Sequence, residues 1–414
     1  MPVFNRESRV QVLPFSRQPD GEEVIIGRPE IGVFLAVPPD AVDVLDELAT
    51  GKPIGAVERA YQASHGEALD LTDFVELLHA KGLVEAFDDT RETKSAHTPL
   101  PREPANRKYH FTTFPKSVAR VLFGTPALAI YLLLSLIALA IVIERPAFAV
   151  GPKDLYFPDR STLSILLLTA ITYFSLFVHE FAHLVAARAV GVNSRLGVGH
   201  RLWVLVAETD LTGLWAVPKK QRYLPLFAGM IADSVSCSVV IEMLFLAAYY
   251  RMDISPFWQR LARAVVFTYL MRIAWQFLLF LRTDIYYVLA NYLGCRNLMN
   301  DTETHLRNWA ARIFPGIAHR DQSGIPAAEA RVIRIYSLLW LAGRIAALML
   351  LFFVTIPVCV LYVRKLIITF HAGFSANPSA FLDCLLLTSY ILVPLLIGMA
   401  MWINGLIKRE ELAG

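Results

Sequence analysis

Cysteine is scarce in this chain, and so is any excess of one charge. Four cysteines, Cys237, Cys295, Cys359 and Cys384, are spread over 414 residues. No two form Cys-x-x-Cys, and Cys237, Cys359 and Cys384 lie in apolar runs. That spacing excludes a disulfide framework and a cysteine zinc knuckle, and leaves small core residues. The net charge is +3, which excludes a surface built on basic excess, so no nucleic-acid partner is expected. P-loop, GxSxG and Rossmann fingerprints are also absent. The first 30 residues are polar and mixed, so no secretory signal peptide is expected.

What is abundant is apolar surface. The chain is 55% hydrophobic, with mean hydropathy +0.47. That composition predicts a multi-span α-helical membrane protein, with the lipid bilayer as its first partner. Six apolar runs, at about 121–143, 162–189, 224–250, 257–281, 335–363 and 380–406, are each long enough to cross roughly 30 Å of hydrocarbon. Basic residues crowd the loops at 190–222 (Arg195, Arg201, Lys219, Lys220, Arg222) and 282–334, whereas 144–161 carries few. Positive loops face the cytosol, so both termini are expected there.

The run 162–189 contains FVHEFAHLVAARAV, which places His179, Glu180 and His183 as HExxH. Four residues make just over one helical turn, so the two imidazoles share a face. This arrangement suits two ligands of one Zn²⁺, with Glu180 as the catalytic general base. The flanks are apolar on both sides, which predicts zinc protease chemistry at membrane depth. His179 lies about 16 Å from the cytosolic end of its helix, at 1.5 Å per residue.

These residues resemble the site-2 protease family of intramembrane zinc metalloproteases, and in particular its bacterial peptide zinc metalloprotease branch. The resemblance continues in LRTDIYYVLANYLGCRNL, which is similar to the family's aspartate motif. It implies Asp284 as the third zinc ligand, although Ile285 stands where the family has glycine. FAGMIADSV is similar to the family's Gly-Pro-x-x-Asn pattern, with Gly229 kept, Met230 in place of Pro and Asp233 in place of Asn. An ionised Asp233 would repel an oxyanion. Residue counting puts Asp233 and Arg272 at similar depth, so the two are expected to pair. Glu242, Arg344 and Asp383 are further intramembrane charges whose partners the sequence does not assign. The strand-like stretch 196–217 corresponds to a sheet that, in the family, holds the substrate extended. His200, within it, is read as a loop histidine rather than a ligand.

Ahead of the spans, residues 1–88 are soluble in character. Strand-like runs at Val10–Pro14, Glu23–Gly27 and Gly32–Val37 precede helices at Pro38–Leu48, Ile54–Ala63 and Asp70–Lys81, and a last strand at Leu83–Phe87. This order predicts a small N-terminal α/β winged-helix-like domain. The stretch VPPDAVDVLDELATGKPIGAVERAYQASHGEALDLTDFVELLHAKGLVEAF resembles the peptide chaperone of pyrroloquinoline quinone biosynthesis, which implies binding of a peptide leader. The expected organisation is therefore 1–88 chaperone-like domain, 89–115 polar linker, 116–300 zinc protease core, and 301–414 a cytosolic loop with the last two spans. The resemblances together imply a bacterial inner-membrane zinc endopeptidase. Its substrate would be a ribosomally made peptide or a single-span membrane protein, with export adaptor proteins as neighbours. The alternatives are a signalling protease acting on a single-span regulator and a non-proteolytic membrane scaffold.

Overall fold

The computed structural model describes residues 4–66, 70–87, 108–111, 113–157, 161–201, 204–295, 297–314, 316–375 and 377–411. Most of the expected linker lies outside them.

The N-terminal elements follow the expected order closely: β1 (Val10–Val12), β2 (Ser16–Asp20), β3 (Glu23–Arg28), β4 (Val33–Val37), α1 (Pro39–Ala49), α2 (Ile54–His65), α3 (Thr72–Ala80) and β5 (Val84–Ala86). β2, β3 and β4 form an antiparallel meander, and β1 pairs with β5. β2 is the strand that pattern reading misses. Its sequence, SRQPD, has no branched or aromatic residue and contains a proline. An edge position tolerates that proline, and pairing with β3 from Ser16↔Gly27 to Asp20↔Glu23 sets the strand. The turn between them carries Gly21 at φ +71°, a conformation that favours glycine. Pro38 and Pro39 start α1, where a missing amide costs nothing. Leu45, Leu48, Ile54, Leu71 and Leu78 close a core of this region's own.

The remainder is mainly helical. After β6 (Lys108–His110) come α4 (Lys116–Leu122), α5 (Thr125–Glu144), α6 (Ser161–Ala189), β7 (Arg195–Arg201), β8 (Val204–Asp210), α7 (Lys219–Tyr249) and α8 (Pro256–Trp275). Then follow α9 (Asp284–Leu293), α10 (Leu298–Ala311), α11 (Ala327–Leu350), α12 (Ile356–Ala372) and α13 (Pro378–Glu411). Among the described residues, four helical segments are long and apolar enough to cross a membrane: 116–144, 162–189, 219–249 and 327–353. They coincide with four of the six expected runs. α5 is apolar all round and presents Leu132, Leu133 and Ile143 outward, more than half exposed, as a lipid-facing helix does.

α8, in the run 257–281, spans 20 residues and carries Arg260, Arg263 and Arg272. It lies in the bundle nonetheless, because two of these arginines face inward to acids. Arg263 Nε donates to Asp154 at 2.8 Å and its other nitrogens donate to the carbonyls of Ala147 and Ala149. Arg272 reaches Asp233. The run 335–363 divides at a π-helical turn, 351–355, between α11 and α12.

α6 and α7 approach closely along a seam of small residues, Ala182, Ala186 and Ala228. β6, β7 and β8 form an antiparallel sheet in that order, with β8 at the edge. Leu196 of β7 packs with Leu184 and Val185, which fixes the sheet onto α6.

Candidate metal centre

α6 carries His179 and His183 on its buried face, each only 4% exposed. Asp284 enters from the first turn of α9. As a possible helix cap its carboxylate would be spent on its own backbone, but Thr283 takes that position. Thr283 accepts from the Tyr286 amide at 3.4 Å, while the Asp284 amide donates to Gln276 Oε1 at 3.0 Å. The Asp284 side chain is thereby left to face the histidines.

Three donor atoms converge. His179 Nε2 and His183 Nε2 are 3.3 Å apart. Asp284 Oδ2 lies 3.2 Å from the first and 3.4 Å from the second. Ligands about 2.0–2.1 Å from a tetrahedral zinc stand roughly 3.3–3.4 Å from one another, so the triangle has the edge lengths of one face of such a site. Asp284 Oδ2 is buried and, among the described residues, receives no hydrogen bond.

The far side of each imidazole is already held. His179 Nδ1 donates to Asp233 Oδ2 at 2.9 Å, and His183 Nδ1 donates to the Pro225 carbonyl at 2.7 Å. A backbone carbonyl only accepts, so the proton of neutral His183 sits on Nδ1 and the Nε2 lone pair points inward. The carboxylate does the same for His179. Two lone pairs and a carboxylate oxygen then meet in a buried space, and one cation answers all three. The residues present fit a Zn²⁺.

Asp233 is only 1% exposed. It forms the expected pair with Arg272, whose Nε donates to Oδ2 at 2.8 Å and whose second nitrogen reaches Oδ1. Arg272 Nη1 also donates to Ser175 Oγ at 2.8 Å. What sequence reasoning missed is that the same carboxylate orients His179. This makes an arginine–carboxylate–histidine relay behind the donor atoms. A signal was present: Gly229 and Asp233 stand at i and i+4, so one stripe of α7 faces the HExxH helix. Gly229 has its own role. A Cβ there would stand 2.5 Å from His183 Nε2 and would overlap His179 Nε2 as well. Only a glycine leaves room for both rings.

Glu180, half-buried, turns toward β8. Its Oε2 accepts from the Thr209 amide at 3.0 Å and from Thr209 Oγ1 at 3.0 Å. A cleft of about 360 Å³ opens here, lined by Glu180, His183, Thr209, Arg222, Asp284 and Tyr287 among others. The structure thus places Glu180, His183 and Asp284 on one cleft, with His179 immediately behind.

Arg222, a loop charge by its sequence position, is only 2% exposed. Its Nη1 donates to Asp20 Oδ2 at 3.1 Å, and its guanidinium lies 4.9 Å from the Trp215 ring centroid. This ties β2 to the rim of the cleft. Asp210 anchors the turn that follows β8. Burial alone would raise its pKa, but donation from Thr212 and the neighbouring Arg195 outweigh that and hold it below the ordinary carboxylate value.

The remaining charges of the apolar runs sit apart from this centre. Asp383 accepts from Thr162 Oγ1, and Arg344 stacks 4.7 Å from the Trp340 ring centroid. Glu242 Oε1 is buried without a donor among the described residues. His200 belongs to β7, opposite Leu205 in register. Its side chain lies outside the described residues.

No family model, curated protein or solved structure matches the chain.

Proposed function

We propose that this protein is a membrane-embedded zinc metalloendopeptidase of the site-2 protease type. The observation that carries the reading is the triangle of His179 Nε2, His183 Nε2 and Asp284 Oδ2, with edges of 3.2–3.4 Å. Bound there, zinc supplies Lewis acidity and lowers the pKa of a water molecule toward 7. Glu180, on the cleft beside the three donors, takes the proton as general base and returns it to the leaving amine. Asp233 holds His179 in the tautomer that presents Nε2, and Arg272 holds that carboxylate in place. A peptide must be extended to expose its scissile amide, and β8 offers an edge beside Glu180 along which an extended segment can lie.

The six-span topology with both termini cytosolic belongs to the same proposal. So does a substrate delivered as a ribosomally made peptide. The contact of Asp20 with Arg222 favours peptide recruitment over cleavage of a single-span regulator, because it joins the chaperone-like domain to the cleft rim.

The test is co-expression of the chain with a candidate precursor peptide and mass spectrometry of the products. Cleavage that disappears in Glu180→Gln while bound zinc persists supports the reading. Equal processing by Glu180→Gln contradicts it.

A further inference from the structure

We propose that Thr209 is the residue that positions Glu180 for proton transfer; this rests on the protease reading above. A glutamate one residue past His179 points about 100° around the helix from the ligand face. Its three rotatable bonds leave many orientations that miss the cleft, so something must choose one. Thr209 does so with its amide, which donates to one carboxylate oxygen, and with its hydroxyl, whose single proton is shared between that oxygen and the Glu180 backbone carbonyl. Its amide and its hydroxyl each lie 3.0 Å from Glu180 Oε2. The same hydroxyl stands 2.6 Å from the Glu180 backbone carbonyl, tying the side chain to its own turn of α6. Among the described residues no donor reaches Oε1, so one carboxylate oxygen is held while the other stays available to the cleft.

Thr209 can do this because it is itself fixed. It is 8% exposed and pairs with Leu196 in register. Leu196, 3% exposed, is packed on Leu184 and Val185 of the helix that bears Glu180. The strand and the base are therefore one rigid unit, and the Thr209 amide is directed to Glu180 rather than to β7. Thr209 is a positioning residue: it acts on substrate only through Glu180.

The experiment compares wild type, Thr209→Val and Thr209→Ser as full chains in detergent, with fluorescein-labelled casein as the probe. Thr209→Val keeps the shape and the amide but lacks the hydroxyl. It should lower kcat by about 10- to 100-fold with KM changed by less than about twofold. Thr209→Ser should stay within about threefold of wild type. Zinc should remain at one per chain in all three. Hydrogen exchange reads the contact without activity: the Thr209 amide should exchange at least about tenfold faster in Glu180→Ala than in wild type. A wild-type kcat in Thr209→Val, an unchanged Thr209 amide exchange rate in Glu180→Ala, or zinc loss in Thr209→Val would each overturn the positioning role while leaving the protease reading intact. A wild type that neither holds zinc nor cleaves casein overturns both.

Discussion

Gly229→Ala adds one methyl group to the inner face of α7. An alanine in place of glycine inside a helix normally stabilises by about 0.5–1 kcal/mol. Here the new carbon would stand 2.5 Å from His183 Nε2 and would also overlap His179 Nε2. Ordinary contact needs about 3.5 Å, so the shortfall is roughly 1 Å. Two responses are open. Either α6 and α7 separate by that amount at a seam closed by Ala182, Ala186 and Ala228, or the rings rotate. Rotation breaks the bonds from Nδ1 to Asp233 and to the Pro225 carbonyl. Loss of one such outer partner lowers metal affinity by about 10- to 100-fold, so losing both should cost at least about 100-fold. The assay is zinc competition against a chromophoric chelator, with a thermal scan in EDTA as a fold control. The expected pattern is a metal-free protein that still unfolds cooperatively, at a lower temperature than metal-free wild type, with zinc binding at least about 100-fold weaker. Zinc affinity within about threefold of wild type would refute the claim that both imidazoles face Gly229 in the bound state.

Other outcomes follow from the same geometry. Asp233→Ala leaves the half-buried Arg272 without its acid and should destabilise by about 2–3 kcal/mol, whereas Asp233→Ala with Arg272→Met should recover much of that loss in denaturant titrations; additive losses would contradict the pairing. The Arg17–Asp46 pair is exposed on both sides (45% and 49%), so Asp46→Ala should change stability by less than about 1 kcal/mol. Asp210 has a folded pKa below its ordinary 3.8, so its contribution is fully present above that value and is lost as pH falls through the folded pKa. Hydrogen exchange over 210–216 should therefore be flat from pH 6 to 8 once corrected for intrinsic rates, and a loosening near pH 7 would contradict it.

The parts of this molecule legible in its sequence are those where the signal is local. HExxH specifies its own geometry, because four residues on a helix fix which side chains meet. In the N-terminal region α1 and α2 begin after prolines, α3 begins where the Thr72 amide donates to Asp70, and turn residues such as Gly51 and Gly82 follow helix ends, so their bounds fall within a few residues of expectation. The Asp233–Arg272 pair was legible because membrane depth is a one-dimensional coordinate and an unpaired intramembrane charge is costly. β2 was not legible, since its stability comes from pairing with β3 rather than from its own composition. Neither was the bond from Asp233 to His179, nor that from Thr209 to Glu180. Each joins residues far apart in sequence through the packing of α6 against α7 or β8, and neither periodicity nor motif spacing records that packing. Asp20 and Arg222 lie 202 positions apart, and neither stands in a pattern that marks it as half of an ion pair.

The most direct measurement is the metal content of the detergent-purified full chain, by mass spectrometry of the intact protein and by elemental analysis, beside Glu180→Gln and Asp284→Ala. The account predicts one zinc per chain in wild type, the same in Glu180→Gln, and weak, easily chelated zinc in Asp284→Ala. A folded wild type that binds no zinc at micromolar metal, or an Asp284→Ala variant that holds it as tightly as wild type, would contradict the assignment of His179, His183 and Asp284 as a metal centre.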